Sequence, residues 1–480
     1  MAPTSTVTLD YTLRDLYSEN NESDPNLVLI YYPLDFKYNP SGSLTKFVYG
    51  YKLKEGTEEG ASAIERSLYP QRTAFTAGQM PMVVLDFAPS DKQQQQETND
   101  KICQATNGQR PHHVDFHRTY SQLPREQQPN LTFANNLKGI TLDAGAQISV
   151  QLPTDCLSDL PHLINPETHY EILSKRGLAL SALPTARSEV VDACLTNSDD
   201  PVLLAEEVSR MMHSIEKHQL PFMIKLPQSV SGRGAFAVAT EAERNEVKTV
   251  LTAGLGKMLN ELNESNHHLY PCSIVLQDLI PGPTVALAFF VSRSGHARFT
   301  ACTGQLFDEQ QHWIGGTIAY KQQDQLRATF SPIMKKAAAF LHGKGYYGPA
   351  GVDIITDEGS GEHLIIDLNV RVPGTFHLGP LRGHFTKRGL YEAAGTKLQL
   401  RCSRDVFEGR FADEMRKGSL IVNGWFHDEQ SGLSHAAITI GARDSEELNG
   451  YLERVRAVGT QPDGSDAFHG PRVPGLKAKW

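Results

Sequence analysis

Residues 348–374 read Gly-Pro-Ala-Gly-Val-Asp-Ile-Ile-Thr-Asp-Glu-Gly-Ser-Gly-Glu-His-Leu-Ile-Ile-Asp-Leu-Asn-Val-Arg-Val-Pro-Gly. Two apolar runs rich in Ile, Leu and Val flank the polar segment 357–362, and this pattern predicts a β-hairpin. A hairpin folded about Ser360 sets Asp353 directly opposite Asp367. Cross-strand Cβ atoms lie about 5 Å apart, so the two like charges would repel each other there.

The polar side chains of this hairpin predict a cation site. Asp367 and Asn369 point to one face because the side-chain period of a strand is two. With Asp353 they offer two carboxylates and an amide oxygen, and oxygen-only ligands suit Mg²⁺ or Mn²⁺, which usually arrive with substrate phosphates. The alternative is an exposed hairpin face with solvated aspartates. Strongly apolar residues on the other face, such as Ile354 and Leu368, favour the metal site.

Composition sets broad limits on the function. The chain has 480 residues, 40% hydrophobic and 21% charged, which is ordinary for two to four globular domains. A net charge of -9 disfavours non-specific nucleic-acid binding. No apolar run reaches about 18 residues and no secretory signal is evident, so neither a membrane span nor export is expected. Six cysteines without CxxC spacing favour reduced thiols in a cytoplasmic protein.

The order of local patterns predicts the organisation of the chain. After a flexible stretch at 1–25, apolar strands at 26–32 and 80–87 with helical patterns between them predict an N-terminal α/β domain over 26–160. Residues 111–117, rich in histidine, are expected in a surface loop. A helix from Ser331 to His342 is expected to carry Pro332 in its first turn. Residues 313–317 are expected to form a loop, and 401–480 a small C-terminal α/β appendage.

Lys225 ends a predicted strand and precedes a loop rich in serine and glycine. In that loop, Gly232 and Gly234 let the backbone approach a phosphate chain, and a lysine supplies a point charge to the same phosphates. The loop does not match the P-loop pattern. Taken alone, a plain hairpin turn would explain it as well.

Taken in order, several elements resemble the ATP-grasp superfamily over about residues 165–400. They are Lys225 with its glycine loop, Val-Leu-Gln277-Asp-Leu-Ile280-Pro-Gly, Gly345-Tyr-Tyr-Gly348, and the hairpin with Asp353, Asp367, Asn369 and Arg371. The resemblance implies an α/β fold class of the α+β ATP-grasp type. An N-terminal pre-ATP-grasp domain would precede a two-subdomain core at 161–400, with a lid near 219–280 and ATP between the subdomains.

The resemblance also implies roles for individual residues. Asp353, Asp367 and Asn369 match the Mg²⁺ ligands. Lys175 would serve as the second phosphate lysine, because the expected place for that lysine falls near His169. Nucleotide contacts are implied for Lys225, Ser229, Ser231, Gly232, Gly234, Gln277, Asp278 and Ile280. Gln277 stands where many members have a glutamate that reads the adenine amino group.

Most members of the superfamily activate a carboxylate with ATP and let an amine attack the acylphosphate, which releases ADP and phosphate. The resemblance therefore implies a carboxylate–amine ligase with Lys225 and Arg371 as catalytic residues, and with Arg371, His377 and Arg382 holding the acid. The expected partners are a small carboxylic acid and an amine, with an amino acid favoured, and neither nucleic acid nor membrane. A small-molecule kinase and a nucleotide-binding protein with little catalysis stay open, and so does the oligomeric state, a homodimer included.

Overall fold

The computed structural model of the chain describes residues 7–18, 26–31, 44–49, 58–85, 111–134, 136–197, 200–229, 234–308, 313–429 and 431–458. The described residues form one parallel and two antiparallel sheets with helices packed on them, which confirms the predicted α/β class. Among the helices described, none has both the length and the apolar character that crossing a membrane requires.

The N-terminal part is a four-stranded parallel sheet in the order β3-β2-β1-β4. Almost every residue of strands β1 and β2 is buried. This burial on both faces explains why both strands are continuous apolar runs in the sequence. The residues predicted as a histidine-rich loop instead form a helix, in which His113 is buried and stacks on Phe133 at 3.6 Å between ring centroids. The elements are β1 (Leu27–Tyr31), β2 (Pro81–Leu85), β3 (Asn130–Ala134), β4 (Gln147–Val150), α1 (Leu13–Tyr17), α2 (Glu58–Ala77) and α3 (Pro111–Tyr120).

A second, antiparallel sheet of four strands contains the residues expected in the lid. Its order is β5-β8-β6-β7, and two long helices, α6 and α7, pack together over its apolar face. Helix α7 begins at a capping box formed by Thr240 and Glu243. The elements are α4 (Pro166–Leu173), α5 (Lys175–Ala179), β5 (Ser188–Val191), α6 (Pro201–Lys217), β6 (Phe222–Lys225), β7 (Ala235–Val238), α7 (Glu241–Leu259) and β8 (Ile274–Asp278). The edge strand β5 and helix α6 therefore precede residue 219, where the lid was expected to begin.

The third sheet has eight strands in the order β13-β12-β9-β10-β11-β14-β16-β15, and every neighbouring pair is antiparallel. Strand β11 covers the residues expected in a loop, and that prediction is wrong because they pair with strands on both sides. Strands β15 and β16 extend the same sheet from the C-terminal segment. The strands are β9 (Thr284–Val291), β10 (Ala297–Phe307), β11 (Trp313–Ala319), β12 (Gly348–Thr356), β13 (His363–Asn369), β14 (Glu392–Leu400), β15 (Leu420–Asp428) and β16 (Leu433–Ala442).

The longest helix on this sheet begins earlier than predicted and carries Pro332 in its interior. Gln323 anchors its first turn, because its side chain accepts from the backbone N–H of Cys302 at 2.9 Å and donates to the carbonyl of Cys302 at 2.9 Å. This tertiary contact outweighs the local preference of proline for a first turn. The helices are α8 (Gln323–Gly343), α9 (Arg382–Thr386), α10 (Arg404–Arg410), α11 (Ala412–Lys417) and α12 (Ser445–Arg456).

Contacts between the sheets create a cleft. Helices α2 and α3 pack against strand β15, so that Phe75 and Phe116 share a core with Ile421. On the other side, the hydroxyl of Thr185, just before β5, donates to the carbonyl of Ile365 in β13 at 2.7 Å. The hairpin β12–β13 therefore lies at the edge of the eight-stranded sheet that faces the sheet β5–β8, opposite to the edge at β15.

Candidate active site at the β12–β13 hairpin

The hairpin has the register that the sequence predicts. Asp353 pairs with Asp367 and Gly351 pairs with Asn369, with an irregularity directly after Asp353. The turn is closed by Asp357, whose side chain accepts from the backbone N–H of Gly359 at 2.9 Å and from the hydroxyl of Ser360 at 2.7 Å. The two carboxylates thus face each other across adjacent strands.

The pKa values of the two carboxyl groups shift in opposite directions. Burial raises the pKa of Asp353 to about 7, and the neighbouring charge of Asp367 acts in the same direction. Burial alone would also raise the pKa of Asp367, but the ion pair with Lys175 and the charges of Lys225 and Arg371 hold that pKa below its usual range. Asp367 is therefore ionised near neutral pH, whereas Asp353 needs a further cation to keep its charge.

Two lysines from outside the hairpin reach this pair. The ammonium of Lys175, at the start of α5, forms an ion pair with Asp367. Lys225, at the end of β6, donates to the side-chain oxygen of Gln277 at 2.7 Å and to the carbonyl of Ile366 at 2.7 Å. Burial lowers the pKa of Lys225 to about 8. An anion placed beside Lys225 would favour its charged form.

The place expected from the resemblance for the second phosphate lysine holds a neutral histidine. His169 is buried, and one of its ring nitrogens bonds the carbonyl of Val370 at 2.7 Å. Burial lowers the pKa of His169 to about 4, so it carries no charge near pH 7. Among the described residues, Lys175 forms an ion pair with Asp367, one of the two carboxylates predicted to bind the metal.

Asn369 and Arg371 continue the line of polar groups beyond the pair. Arg371 donates to the amide oxygen of Asn369 at 2.9 Å. Burial lowers the pKa of Arg371, whereas the charges of Asp367 and Asp353 counteract that effect. The donor set for a cation is therefore two carboxylates and one amide oxygen, all hard oxygen ligands that fit Mg²⁺ or Mn²⁺. In the part of the chain that the structure describes, no third His, Cys, Asp or Glu joins them.

The loop after β6 is described only at its two ends. Ser229 is buried, and its hydroxyl donates to the carbonyl of Leu226 at 3.2 Å. Gly234 adopts a positive φ of 78°, and its carbonyl accepts from the backbone N–H of Leu226 at 2.8 Å. The expected phosphate contacts Ser231 and Gly232 lie outside the described residues.

Strand β8 places the residues expected to contact the base. Gln277 is buried and donates to the hydroxyl of Ser188 at 3.0 Å, while its oxygen accepts from Lys225. Asp278 is exposed, and Ile280 is half-buried in the segment that leads from β8 to β9. This segment passes close to the turn of the hairpin, because a Cβ at Gly282 would lie 1.9 Å from the carbonyl oxygen of Thr356.

The two residues expected to help Arg371 hold an acid lie in different surroundings. His377 is buried against strand β14, and a Cβ at Gly395 would lie 2.5 Å from its Nε2. That nitrogen has no hydrogen-bond partner, and burial lowers the pKa of His377 to about 3. Arg382 is exposed and pairs with Asp324 at 3.5 Å, and no described contact joins it to the carboxylate pair.

Two polar residues near the site were not predicted from the sequence. Gln305 of β10 hydrogen-bonds Asp353, which opposes the rise in the pKa of that carboxyl. Arg72 of α2 donates to the carbonyl of Gly374, three residues after Arg371. Neither residue belongs to a motif, and they reach the site only because separate sheets meet there. The local signal that could have indicated Gln305 is the alternation of side chains between the two faces of strand β10.

A small pocket with a cavity volume of about 20 Å³, enough for about one water molecule, lies beside Arg371. It lies at the carboxyl ends of β1 and β4, where the chain order of the parallel sheet reverses direction, and ligands of α/β sheets bind at such points. Its lining includes Tyr31, Thr73, Gln151, His169, Tyr346 and Arg371. The pocket therefore connects the N-terminal sheet to the line of polar groups on the hairpin.

Part of the chain matches a known family. Residues 216–375 match the model of an ATP-grasp domain, whereas the sequences of curated proteins give no match. Among solved structures, N5-carboxyaminoimidazole ribonucleotide synthetase from Thermus thermophilus is similar at 13% identity and a TM-score of 0.46, over 90% of this chain and 99% of the other. The Staphylococcus aureus synthetase complexed with ADP is similar at 10% identity and a TM-score of 0.47, over 90% and 96%.

An L-amino acid ligase from Bacillus licheniformis is similar at 11% identity and a TM-score of 0.42, over 71% of this chain and 90% of the other. Likenesses at this level carry no conclusion about the reaction or the substrates. The span matched by the family model contains Lys225, the aspartate pair and Arg371. Residues 216–375 therefore match an ATP-grasp domain.

Proposed function

We propose that this chain is an ATP-dependent carboxylate–amine ligase that works through an acylphosphate and releases ADP and phosphate. One observation carries the proposal. Within the matched ATP-grasp span, the oxygen groups of the hairpin lie beside Lys225 of the four-stranded antiparallel sheet, and Arg371 continues the line of polar groups next to them.

The nucleotide would lie between the four-stranded antiparallel sheet (β5–β8) and the hairpin. Asp353, Asp367 and Asn369 would hold Mg²⁺, which when bound neutralises phosphate charge and aligns the terminal phosphoryl group. Lys175 and Lys225 would turn from their present oxygen partners to the phosphates, which are stronger acceptors because they are anionic.

The acid would lie on the side of the pocket where Arg371 is found. A guanidinium group there can bind a carboxylate with two parallel hydrogen bonds and so fix it in line with the terminal phosphate. Amine attack on the activated acid then forms the amide without a covalent side-chain nucleophile. Positioning and charge stabilisation supply the rate enhancement in such a mechanism.

The proposal is tested with hydroxylamine in place of the amine. The protein is incubated with Mg²⁺-ATP and a panel of small acids that includes the amino acids, and hydroxamate, ADP and AMP are measured together. We expect one class of acid to give hydroxamate and ADP in equal amounts, with no ADP formed when the acid is omitted.

Other products would identify another reaction. AMP in place of ADP would mean adenylation, and phosphate transferred to an alcohol in a parallel panel would mean a kinase. If no acid gives hydroxamate, the ligase proposal fails.

A further inference from the structure

The side-chain amide of Gln277 has protein partners at both of its ends. Its nitrogen donates to the hydroxyl of Ser188 at 3.0 Å and to the hydroxyl of Thr185 at 3.4 Å. Its oxygen accepts from the ammonium of Lys225 at 2.7 Å. The residue is only 3% exposed, so these bonds are shielded from bulk water. The amide therefore joins protein groups, whereas the resemblance assigns it to the adenine amino group.

The register of the four-stranded antiparallel sheet directs this amide toward the hairpin. Gln277 of β8 pairs with Met223 of β6, and Lys225 lies two residues further along β6, so Gln277 and Lys225 share one face. The residues of the opposite face, among them Leu276 and Ile224, belong to the apolar core under the helices. Gln277 and Lys225 therefore lie on the face from which Lys225 reaches β13.

The contact with Gln277 leaves Lys225 able to bind an anion. An ammonium group has three N–H donors, of which Lys225 uses one on Gln277 and one on the carbonyl of Ile366 at 2.7 Å. A phosphate can replace that carbonyl, or take the third donor, while Gln277 keeps its contact. A neutral amide orients the ammonium without cancelling its charge, whereas a carboxylate there would compete with the phosphate for the same cation.

We infer that Gln277 is a positioning residue that holds Lys225 toward the phosphates of the nucleotide, and that its amide does not select the base. This inference rests on the nucleotide binding of the proposed function. Ser188 and Thr185 fix the amide from the other side, so the orientation of Lys225 depends on a chain of hydrogen bonds from β5 through β8 to β6.

The test measures nucleotide binding without turnover. Mg²⁺-ADP and Mg²⁺-IDP, which carries an oxygen in place of the adenine amino group, are titrated by calorimetry into wild type, Gln277→Met, Lys225→Met and the double variant. We expect Gln277→Met to raise Kd about tenfold or more for both nucleotides, with an unchanged ratio of the two Kd values. In the Lys225→Met background the same substitution should change Kd less than about threefold, because the positioned group is gone.

Two further variants complete the experiment. Ser188→Ala removes one acceptor of the amide and should raise both Kd values by a smaller, equal factor that disappears in the Lys225→Met background. This variant provides the same test if Gln277→Met fails to fold. Gln325→Met, the same substitution on the exposed side of α8, should bind both nucleotides like wild type.

Three results would overturn the inference. If the preference for ADP over IDP is lost in Gln277→Met, the amide reads the base. If the rise in Kd is equally large in the Lys225→Met background, Gln277 only stabilises the sheet. If Gln277→Met and Ser188→Ala both bind like wild type, the contact contributes nothing to nucleotide binding.

Failure of this inference and failure of the ligase proposal give different results. ADP binding that depends on Gln277 through Lys225, combined with no hydroxamate from any acid, supports the positioning role and refutes the ligase. Hydroxamate formation by the wild type, combined with unchanged ADP binding in Gln277→Met, supports the ligase and refutes the positioning role.

Discussion

At the scale of single residues, the site depends on charges held close together. Asp353 and Asp367 repel each other across the hairpin, and Lys175 forms an ion pair with Asp367. If Mg²⁺ binds these carboxylates as proposed, we expect it to compete with this ion pair. Because Asp367 interacts with both Asp353 and Lys175, we expect a substitution of Asp367 to have the largest effect on activity.

We expect Asp367→Asn to abolish Mg²⁺-dependent ATP turnover. The side chains are nearly isosteric, but the neutral amide no longer supplies an anionic ligand, and Lys175 loses its partner. Turnover should fall by at least about a hundredfold, equivalent to roughly 2.7 kcal/mol. The measurement is ADP release at saturating Mg²⁺-ATP, with circular dichroism to verify folding.

Asp357→Asn is the matched control for this variant. It lies in the exposed turn of the same hairpin and makes only local contacts with Gly359 and Ser360. This variant should turn over like wild type. Wild-type turnover in Asp367→Asn itself would refute the assignment of the metal ligand.

At the scale of elements, strand β15 is an edge strand covered by two helices. Gln71 of α2 donates to the carbonyl of Trp425 at 2.7 Å and accepts from its backbone N–H at 3.0 Å. Gln122, after α3, donates to the carbonyl of Val422 at 2.8 Å. Exposed edges invite pairing with other chains, so these side chains both close the sheet and fasten the N-terminal helices to it.

We expect Gln71→Met to lower the free energy of unfolding by about 2–4 kcal/mol, because it leaves the buried backbone groups of Trp425 unpaired. The measurement is the midpoint of urea unfolding followed by tryptophan fluorescence. Gln325→Met, on the exposed side of α8, is the control and should change the midpoint little. Equal midpoints for the two variants would show that the contact contributes nothing to stability.

At the scale of the whole molecule, hydrogen bonds to β13 join the four-stranded antiparallel sheet to the eight-stranded sheet. Lys225 and Thr185 each donate to a backbone carbonyl of β13, and the nucleotide would enter between the sheets. Loops with few buried contacts open readily, and ligands that bridge two elements stabilise the closed form. The nucleotide should therefore act as the main link between the two sheets.

Saturating Mg²⁺-ATP should slow amide hydrogen exchange at residues 225–229 and 234–238 by roughly tenfold or more. Mass spectrometry of exchanged peptides measures this effect. Helix α12 packs on β14 and β16 of the eight-stranded sheet and provides the internal control. It should exchange equally with and without nucleotide. Unchanged exchange on both sides of the loop would argue against closure over the phosphates.

The sequence by itself determined the hairpin and its register, and it predicted the metal ligands. Alternation with a period of two and a short polar turn leave one pairing that buries the apolar face, and that pairing sets Asp353 opposite Asp367. The resemblance added Lys225 and Lys175, which the structure brings to the same place as the hairpin. Local patterns carry this information because each involves residues close in sequence.

Only the tertiary structure decided the contacts between distant segments. Arg72 reaches Gly374 across 302 residues, and Gln71 reaches Trp425 across 354. The first turn of α8 and the pairing of β11 also follow from contacts with other strands, and for this reason the local predictions at Ser331 and 313–317 were wrong. Local sequence does not encode such long-range partners, because they depend on how the sheets pack together.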